Sequence, residues 1–407
     1  MTTYDTLIKK SKVLLNTSFE DVALLINDGV IQKIAKSDLN IRADNVISPK
    51  NQVLLPGRID LHVHFRDPGY THKEDFYSGS ASAIAGGTTF VIDMPNTNPP
   101  TATPTSYQEK LEIAQKKSVV DFSLAYALTN ETVEHISEIK PDILKAYFRK
   151  TNGLSIDLHH FSKFYDPKKT ICIHAEDETL IERDSTLAEI SSVQSIRESG
   201  NKTPLHFCHM TTKAAIECVH TIESATLETC PHYLFFSEED NTSSLYKVNP
   251  SLKSKQEVKN LWNLLISDKI SAIATDHAPH TLDEKNSDTP PSGIPGVETC
   301  LPLLFTKVYE NVLPLYIFAK TLFLRPAQIA KIHPKKGIID VGSDADIVFT
   351  KKGEYKIKAD DLHTKCPYTP YENMVSKVKV ETTMLRGTIV FEDNQIRVNR
   401  GFGKNIV

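Results

Sequence analysis

The chain changes its hydrophobic rhythm between its ends and its middle. Near the start, residues 22–35 read VALLINDGVIQKIA, two short apolar runs around Asn27-Asp28-Gly29. An Asp-Gly pair supplies the left-handed positions of a tight turn, so this stretch predicts a β-hairpin. Near the end, Asp346-Ile-Val-Phe349 and Thr383–Phe391 are β-rich runs, with a turn signal at Asp393-Asn394. Both termini are expected to pair into one small composite sheet domain, residues 1–55 plus 341–407. In the middle, short apolar runs alternate with longer amphipathic stretches, the rhythm of a parallel α/β fold. The candidate strands are Ile59–His64, Thr89–Met94, Asp121–Ala127, Ile143–Phe148, Thr170–His174, Leu205–Cys208, Thr226–Cys230 and Ile270–Thr275. Eight strands over roughly 220 residues suit a (β/α)8 TIM-type barrel, here assigned to residues 56–340. Thr71-His-Lys-Glu74 has capping-box spacing and predicts the start of the first helix. The Pro-rich polar stretch from His280 to Gly296 follows the eighth strand. It reads either as a functional loop or as a disordered one.

Composition narrows the function classes. The 407 residues are 40% hydrophobic and 24% charged, with a net charge of −4. A chain of that length exceeds one usual core, which agrees with a barrel plus a smaller domain. There is no basic excess to neutralise phosphates, so neither a nucleic-acid nor a membrane surface is expected. The N-terminal stretch MTTYDTLIKKSKVLL lacks an apolar run, and no later segment reaches the ~18 apolar residues of a membrane span. A soluble, cytoplasmic protein is expected. Cys172, Cys208, Cys218, Cys230, Cys300 and Cys366 form no C-x-x-C pair. They read as reduced thiols, mostly buried as small hydrophobes.

The histidines carry more information. His62 and His64 stand two apart at the end of an apolar strand, so both imidazoles project from one face. A divalent metal accepts such a pair, although an isolated H-x-H is equally a polar pair on a solvated face. Repetition favours the metal. His174 ends Thr-Ile-Cys-Ile-His, His209 ends Leu-His-Phe-Cys-His, and Asp276 ends Ile-Ala-Thr-Asp. Each falls at the carboxyl end of a candidate strand, where barrel enzymes place their chemistry. Four histidines and one carboxylate leave two adjacent ions short of a bridging ligand. Lys145, inside the apolar run Ile-Leu-Lys-Ala-Tyr-Phe, is the odd residue. A buried ammonium beside two cations is disfavoured, whereas its carbamate, formed with carbon dioxide, is an anion with an oxygen for each metal. A lysine snorkelling at a strand edge is the plainer alternative. Asp142 is a rival bridge, but alternation puts it on the opposite face from Lys145. His206, His232 and His277 read as structural.

With these residues in place, the chain resembles the dihydroorotases of the amidohydrolase superfamily. Pro56-Gly-Arg-Ile-Asp-Leu-His-Val-His-Phe-Arg-Asp-Pro-Gly69 is similar to the first signature of that family, and Asp93-Met-Pro-Asn-Thr-Asn-Pro-Pro100 to the second. Ala274-Thr-Asp-His-Ala-Pro-His280, followed by Gly293-Ile-Pro-Gly-Val-Glu298, is similar to the third. Gly342-Ser-Asp-Ala-Asp-Ile-Val348 is a looser match to the superfamily's return into the terminal β domain. The resemblance implies two zinc ions, one on His62, His64 and Asp276 and the other on His174 and His209. It implies a carboxylated Lys145 between them, with an aspartate bridge as the variant used by other branches. Arg66, Asn96 and His280 would hold the substrate carboxylate, and Asn249 in Lys247-Val-Asn-Pro250 would contact the substrate. The implied activity is the zinc-dependent, reversible cyclisation of N-carbamoyl-L-aspartate to L-dihydroorotate in pyrimidine (UMP) biosynthesis, with Asp276 moving the proton. A homo-oligomer, in the form of a dimer, is expected, and association with aspartate transcarbamoylase is left open.

Two features depart from the family pattern. After Asn249-Pro250 the family often continues with proline and arginine, whereas this chain reads Ser251-Leu-Lys253, a weaker point charge. Arg149, four residues beyond Lys145, is aimed by alternation toward the same side. It is either solvated or an attractor for a dianionic substrate. Sister cyclic amidases, allantoinase or dihydropyrimidinase/hydantoinase, share the same ligands. Arg66, two residues after H-x-H, separates them, because an acidic substrate demands a cation there. A non-catalytic scaffold subunit would be expected to lack the ligands that this chain keeps.

Overall fold

The computed structural model describes residues 4–37, 41–133, 136 and 141–406. The first strands are β1 (Tyr4–Leu15), β2 (Ser18–Asn27), β3 (Val30–Ala35), β4 (Ala43–Ile47) and β5 (Gln52–Pro56). The hairpin predicted around Asp28-Gly29 joins β2 to β3, and both turn residues are left-handed, with φ of 51° and 75°. Gly29 is required for space as well as rotation, since a Cβ there would lie 2.5 Å from the Arg386 carbonyl oxygen. The last strands are β15 (Ile347–Lys356), β16 (Val375–Leu385), β17 (Thr388–Glu392) and β18 (Gln395–Ile396). The turn between β17 and β18 carries Asp393 and Asn394 at φ 53° and 59°. Antiparallel pairing of β15 with β5 merges the two ends of the chain into one nine-stranded sheet among the described residues. Ile8, Val13, Leu24, Ile26, Leu54, Ile347 and Phe349 fill its own apolar core.

Between them run β6 (Arg58–Val63), β7 (Thr88–Asp93), β8 (Asp121–Leu124), β9 (Tyr126–Leu128), β10 (Ile143–Tyr147), β11 (Thr170–His174), β12 (Leu205–Phe207), β13 (Thr226–Thr229) and β14 (Ala272–Ile273). All pairings among them are parallel. The run expected as one strand from Asp121 to Ala127 is broken at Ala125. There the Ala125 amide turns to the Asp93 carbonyl (3.0 Å) and that of Ala127 to the Thr101 carbonyl (2.9 Å). β8 therefore pairs with β7, and β9 with β10. The two halves of this bent strand count as one stave of an eight-stranded barrel. Closure falls between β6 and the residues after β14, where the His64 amide donates to the His277 carbonyl at 2.8 Å. Asp60 adds to the seam, accepting from the Thr275 amide (3.0 Å) and hydroxyl (2.6 Å) and pairing with buried Arg58 at 3.0 Å. Removing either partner of such a buried pair costs about 3–5 kcal/mol, because the other charge is left without compensation.

One expected element starts elsewhere. The first barrel helix spans Phe76–Ala85, capped by Asp75 and not by Thr71. The Asp75 carboxylate accepts from the Tyr77 and Ser78 amides, both at 2.9 Å. Glu74 is unavailable to cap Thr71, because it is buried against the Ser78 and Thr364 hydroxyls. At the opposite end of the barrel, Ala327, Ala330 and Ile332 pack with Ile59, Phe90, Ile143, Cys172 and Ala272. Ile329, packed against this apolar floor, shares a cleft with Thr170, Leu205 and Thr226 at the starts of their strands and with Ser271 just before β14. The floor leaves the carboxyl ends as the open face. Among the described residues, no helix is long and apolar enough to cross a membrane. All six cysteines are free, and Cys218 alone among them is not buried.

Candidate active site

At the open face the strand ends bring distant residues around a cavity of about 100 Å³. Its walls include His62, His64, Lys145, His174, His209 and Asp276, which the sequence suggested as metal ligands. Arg66, Asn96 and Asn249, suggested for the substrate, line it too. His280 stands just behind, with Nε2 3.1 Å from Arg66 Nη2. Three of these residues have a left-handed backbone without being glycine: Arg66 (φ 63°), His209 (42°) and Asp276 (47°). Such conformations cost energy and persist only where the surroundings impose them. For Arg66 the constraint is the preceding residue, since the Phe65 amide donates to Asp93 at 2.7 Å. For Asp276 it is the Asp60–Thr275 clamp described above.

The donor atoms form two groups. His64 Nε2 lies 3.0 Å and His62 Nε2 3.6 Å from Asp276 Oδ1. His62, His64 and Asp276 each offer a ligand atom, all within 4.8 Å of one another. Across the cavity, His174 Nδ1 faces His209 Nε2 at 3.0 Å. Three of the four remaining imidazole nitrogens have a polar partner, and His209 Nδ1 has none among the described residues. His62 Nδ1 is 2.8 Å from Glu228, His64 Nδ1 is 2.7 Å from Asn96 Oδ1, and His174 Nε2 is 2.8 Å from Glu176. Carboxylates and amides placed behind histidines in this way fix the ring and its tautomer for metal binding.

Electrostatics agree with that reading. Burial, reinforced by the Lys145 charge and neighbouring histidines, holds His62 well below the ordinary histidine range. Burial and the neighbouring His174 do the same for His209. Both rings are thus neutral at physiological pH and offer lone pairs, the form that metals bind. Burial works to raise the Asp276 pKa, but hydrogen bonding and charge from His64 outweigh it and keep the carboxylate ionised. Lys145 is buried, its Nζ 3.1 Å from Cys208 Sγ and over the face of the Tyr147 ring (5.2 Å to the centroid), and among the described residues no carboxylate lies within ion-pair distance of it. Buried, converging imidazoles, an ionised carboxylate and a lysine with no ion-pair partner among the described residues fit a metal cofactor.

Several expectations need refinement. Arg149 lines the cavity, partly exposed, as one member of an ion pair. Its Nη1 pairs with buried Glu176 at 3.2 Å and, with the Asn249 amide turned to the orientation in which both its atoms find partners, lies 3.3 Å from the Asn249 amide oxygen. Lys253 turns away from the cavity and donates to the Ser185 (2.8 Å) and Ser251 (3.3 Å) hydroxyls. Asp142 is absent from the cavity wall. His206 bonds with Thr226 and Glu228, and His277 accepts from the Gly296 amide, as structural histidines do. His232 is buried with neither ring nitrogen paired among the described residues, and burial lowers its pKa to about 4. Sequence reasoning missed Glu176 and Glu228. Their signal was available, because each is a carboxylate in or beside an apolar strand, the same anomaly that marked Lys145.

Fold and donor set together define a class: a barrel hydrolase that works with a metal cofactor. The profile of the Amidohydrolase family matches residues 53–390, and the chain belongs to that family. The dihydroorotase of Methanosarcina acetivorans is 35% identical, over 98% of this chain and 94% of that protein. That of Pyrococcus abyssi is 34% identical over 98% of both. The multifunctional protein CAD of Squalus acanthias is 35% identical over 88% of this chain, which spans 16% of that protein. Among solved structures, L-hydantoinase (dihydropyrimidinase) from Arthrobacter aurescens superposes with a TM-score of 0.93 over 99% of both chains. At 24% identity that likeness is one of fold.

Proposed function

We propose that the chain is a dihydroorotase, which interconverts N-carbamoyl-L-aspartate and L-dihydroorotate with zinc as its metal. The observation that carries this reading is Arg66, a buried guanidinium with no ion-pair partner among the described residues, in the wall of a cavity that also holds four imidazoles, the Asp276 carboxylate, Lys145 and the ion-paired Arg149. A neutral cyclic amide would leave that cation without compensation, whereas a carboxylate on the substrate matches it bidentately. The identity to dihydroorotases over nearly the full length adds support.

In this reading His62, His64 and Asp276 hold one zinc ion and His174 and His209 the other, with carboxylated Lys145 between them. When bound, such ions lower the pKa of water to about 7 and polarise the amide carbonyl. The residues of the chain do the rest. Arg66, with Asn96 and His280, anchors the carboxylate that does not react. Asn249, fixed by Arg149 and Ser292, orients the opposite edge of the ring. In ring opening Asp276 takes the proton of the attacking water and delivers it to the departing ring nitrogen as the amide C–N bond breaks. Cyclisation runs the same proton path backwards.

Turnover of L-dihydroorotate beside hydantoin and allantoin, with metal content measured on the same sample, tests the reading. Selective turnover of dihydroorotate is expected. Preference for a neutral cyclic amide would transfer the chain to a sister cyclic amidase.

A further inference from the structure

Lys285 closes the short helix Leu282–Lys285 in the loop after the eighth barrel strand, and its side chain is completely buried. Among the described residues, no carboxylate pairs with it. Its Nζ donates instead to the Lys247 carbonyl (3.2 Å) and the Pro291 carbonyl (3.0 Å). Of the other fully buried lysines, Lys145 belongs to the cavity wall, whereas Lys110 is compensated by Asp93 at 2.6 Å and Lys336 by Asp121, Asp344 and Asp346. Burial presses the Lys285 pKa down to about 8, with Cys366 opposing and Lys247 and Arg66 adding to the effect. An ammonium buried on carbonyl partners alone is costly and needs a reason.

The reason lies in what the ammonium joins. The Lys247 carbonyl also accepts from the Gly293 amide at 2.9 Å. Two residues on, the Asn249 amide, turned to the orientation in which both its atoms find partners, donates to Ser292 Oγ at 3.2 Å. The Ser292 carbonyl lies 3.0 Å from His280 Nε2, which in turn meets Arg66. Asn249, Ser292, Gly293 and Arg66 all border the cavity, whereas Lys285 stands one layer behind and does not.

We infer that Lys285 is a positioning residue for the substrate, pegging loop 281–296 to segment 247–249 so that Asn249, Ser292 and His280 stay aligned with Arg66. Its charge, placed behind the guanidinium, also deepens the positive potential that meets an incoming carboxylate. The inference rests on the dihydroorotase reading, because it supposes an anionic substrate in this cradle.

The test compares Lys285→Met, Lys285→Gln and Lys285→Arg in the full chain. In the Met variant the KM for dihydroorotate is expected to rise about tenfold while kcat stays within about twofold and bound metal is unchanged. Amide exchange in residues 281–296 should quicken in that variant, and Arg should restore both KM and protection. The Gln variant keeps a donor and removes the charge, so its KM should fall between those of the Met variant and the parent even where Met impairs folding. An unmoved KM in a folded Met or Gln variant overturns the inference. So does a proportional fall of kcat, metal content and thermal stability without a selective change in KM. Failure of the parent protein to turn over dihydroorotate strikes the functional reading instead, which keeps the two failures distinct.

Discussion

The Glu228 carboxylate holds two histidines at once, with Oε1 2.8 Å from His62 Nδ1 and Oε2 3.0 Å from His206 Nε2. Both histidines and the carboxylate are buried, so water does not compete for these bonds. His62 is left with Nε2 as its free ligand atom, already turned toward Asp276. Glu228→Gln retains the volume but must present an N–H to one of the two rings, which disturbs tautomer and orientation. Metal affinity should fall about tenfold or more, read by competition with a coloured chelator. Parent-like affinity in a folded Gln variant would show that the ring is held by other means.

Asp276 is the residue to which the proposed proton path is assigned, and its backbone makes a clean test practical. At φ 47° asparagine is tolerated better than most residues, so Asp276→Asn removes the charge with little added strain. Turnover at matched metal content is expected to fall by about three orders of magnitude or more, with a smaller change in KM. Activity near that of the parent would remove the proton-transfer role.

Arg66 tests specificity rather than chemistry. Its Nη2 meets His280 at 3.1 Å and its Nε donates to the Pro279 carbonyl at 3.2 Å, which orients the planar head over the cavity wall. Lysine keeps the charge and loses the two-pronged geometry. In Arg66→Lys the KM for dihydroorotate should rise by about one to two orders of magnitude, with kcat affected less. An unchanged KM would leave the carboxylate clamp without its central residue.

The parts of this site that were legible in the sequence share one property: their signal is local. His62 and His64 are two apart on one strand, and His174, His209 and Asp276 each close an apolar run. The hairpin at Asp28-Gly29 is local in the same sense. Glu176 stands two positions from His174 and was missed despite that local signal, whereas the rest of what escaped notice depends on partners far along the chain. Glu228 meets His62 across 166 positions, and no spacing rule reaches that far. The displaced helix cap has the same origin, because Glu74 is drawn to Thr364, 290 positions away. The left-handed backbones of Arg66, His209 and Asp276 were also invisible, since none carries the glycine that usually advertises such a turn. Tertiary contacts impose them.

The loop that Lys285 pegs should also respond to acid through its neighbour Glu284. This side chain is 30% exposed, pairs with Lys73 at 2.9 Å and accepts from the Thr281 amide at 3.1 Å. Burial works to raise its pKa, but the bonds from Lys73 and the Thr281 amide outweigh it and pull the value down to about 2. An unfolded glutamate titrates at about 4.3, so the folded value is the depressed one. The sign follows from linkage. The contribution of Glu284 is fully present above about pH 4.3 and is lost as pH falls toward about 2. Glu284→Gln should therefore be less stable than the parent at pH 7, and the gap in Tm should narrow steadily below about pH 4. Parallel melting series across that range provide the measurement. A gap that stays constant with pH would mean that Glu284 supports the loop through packing alone, with no contribution from its charge.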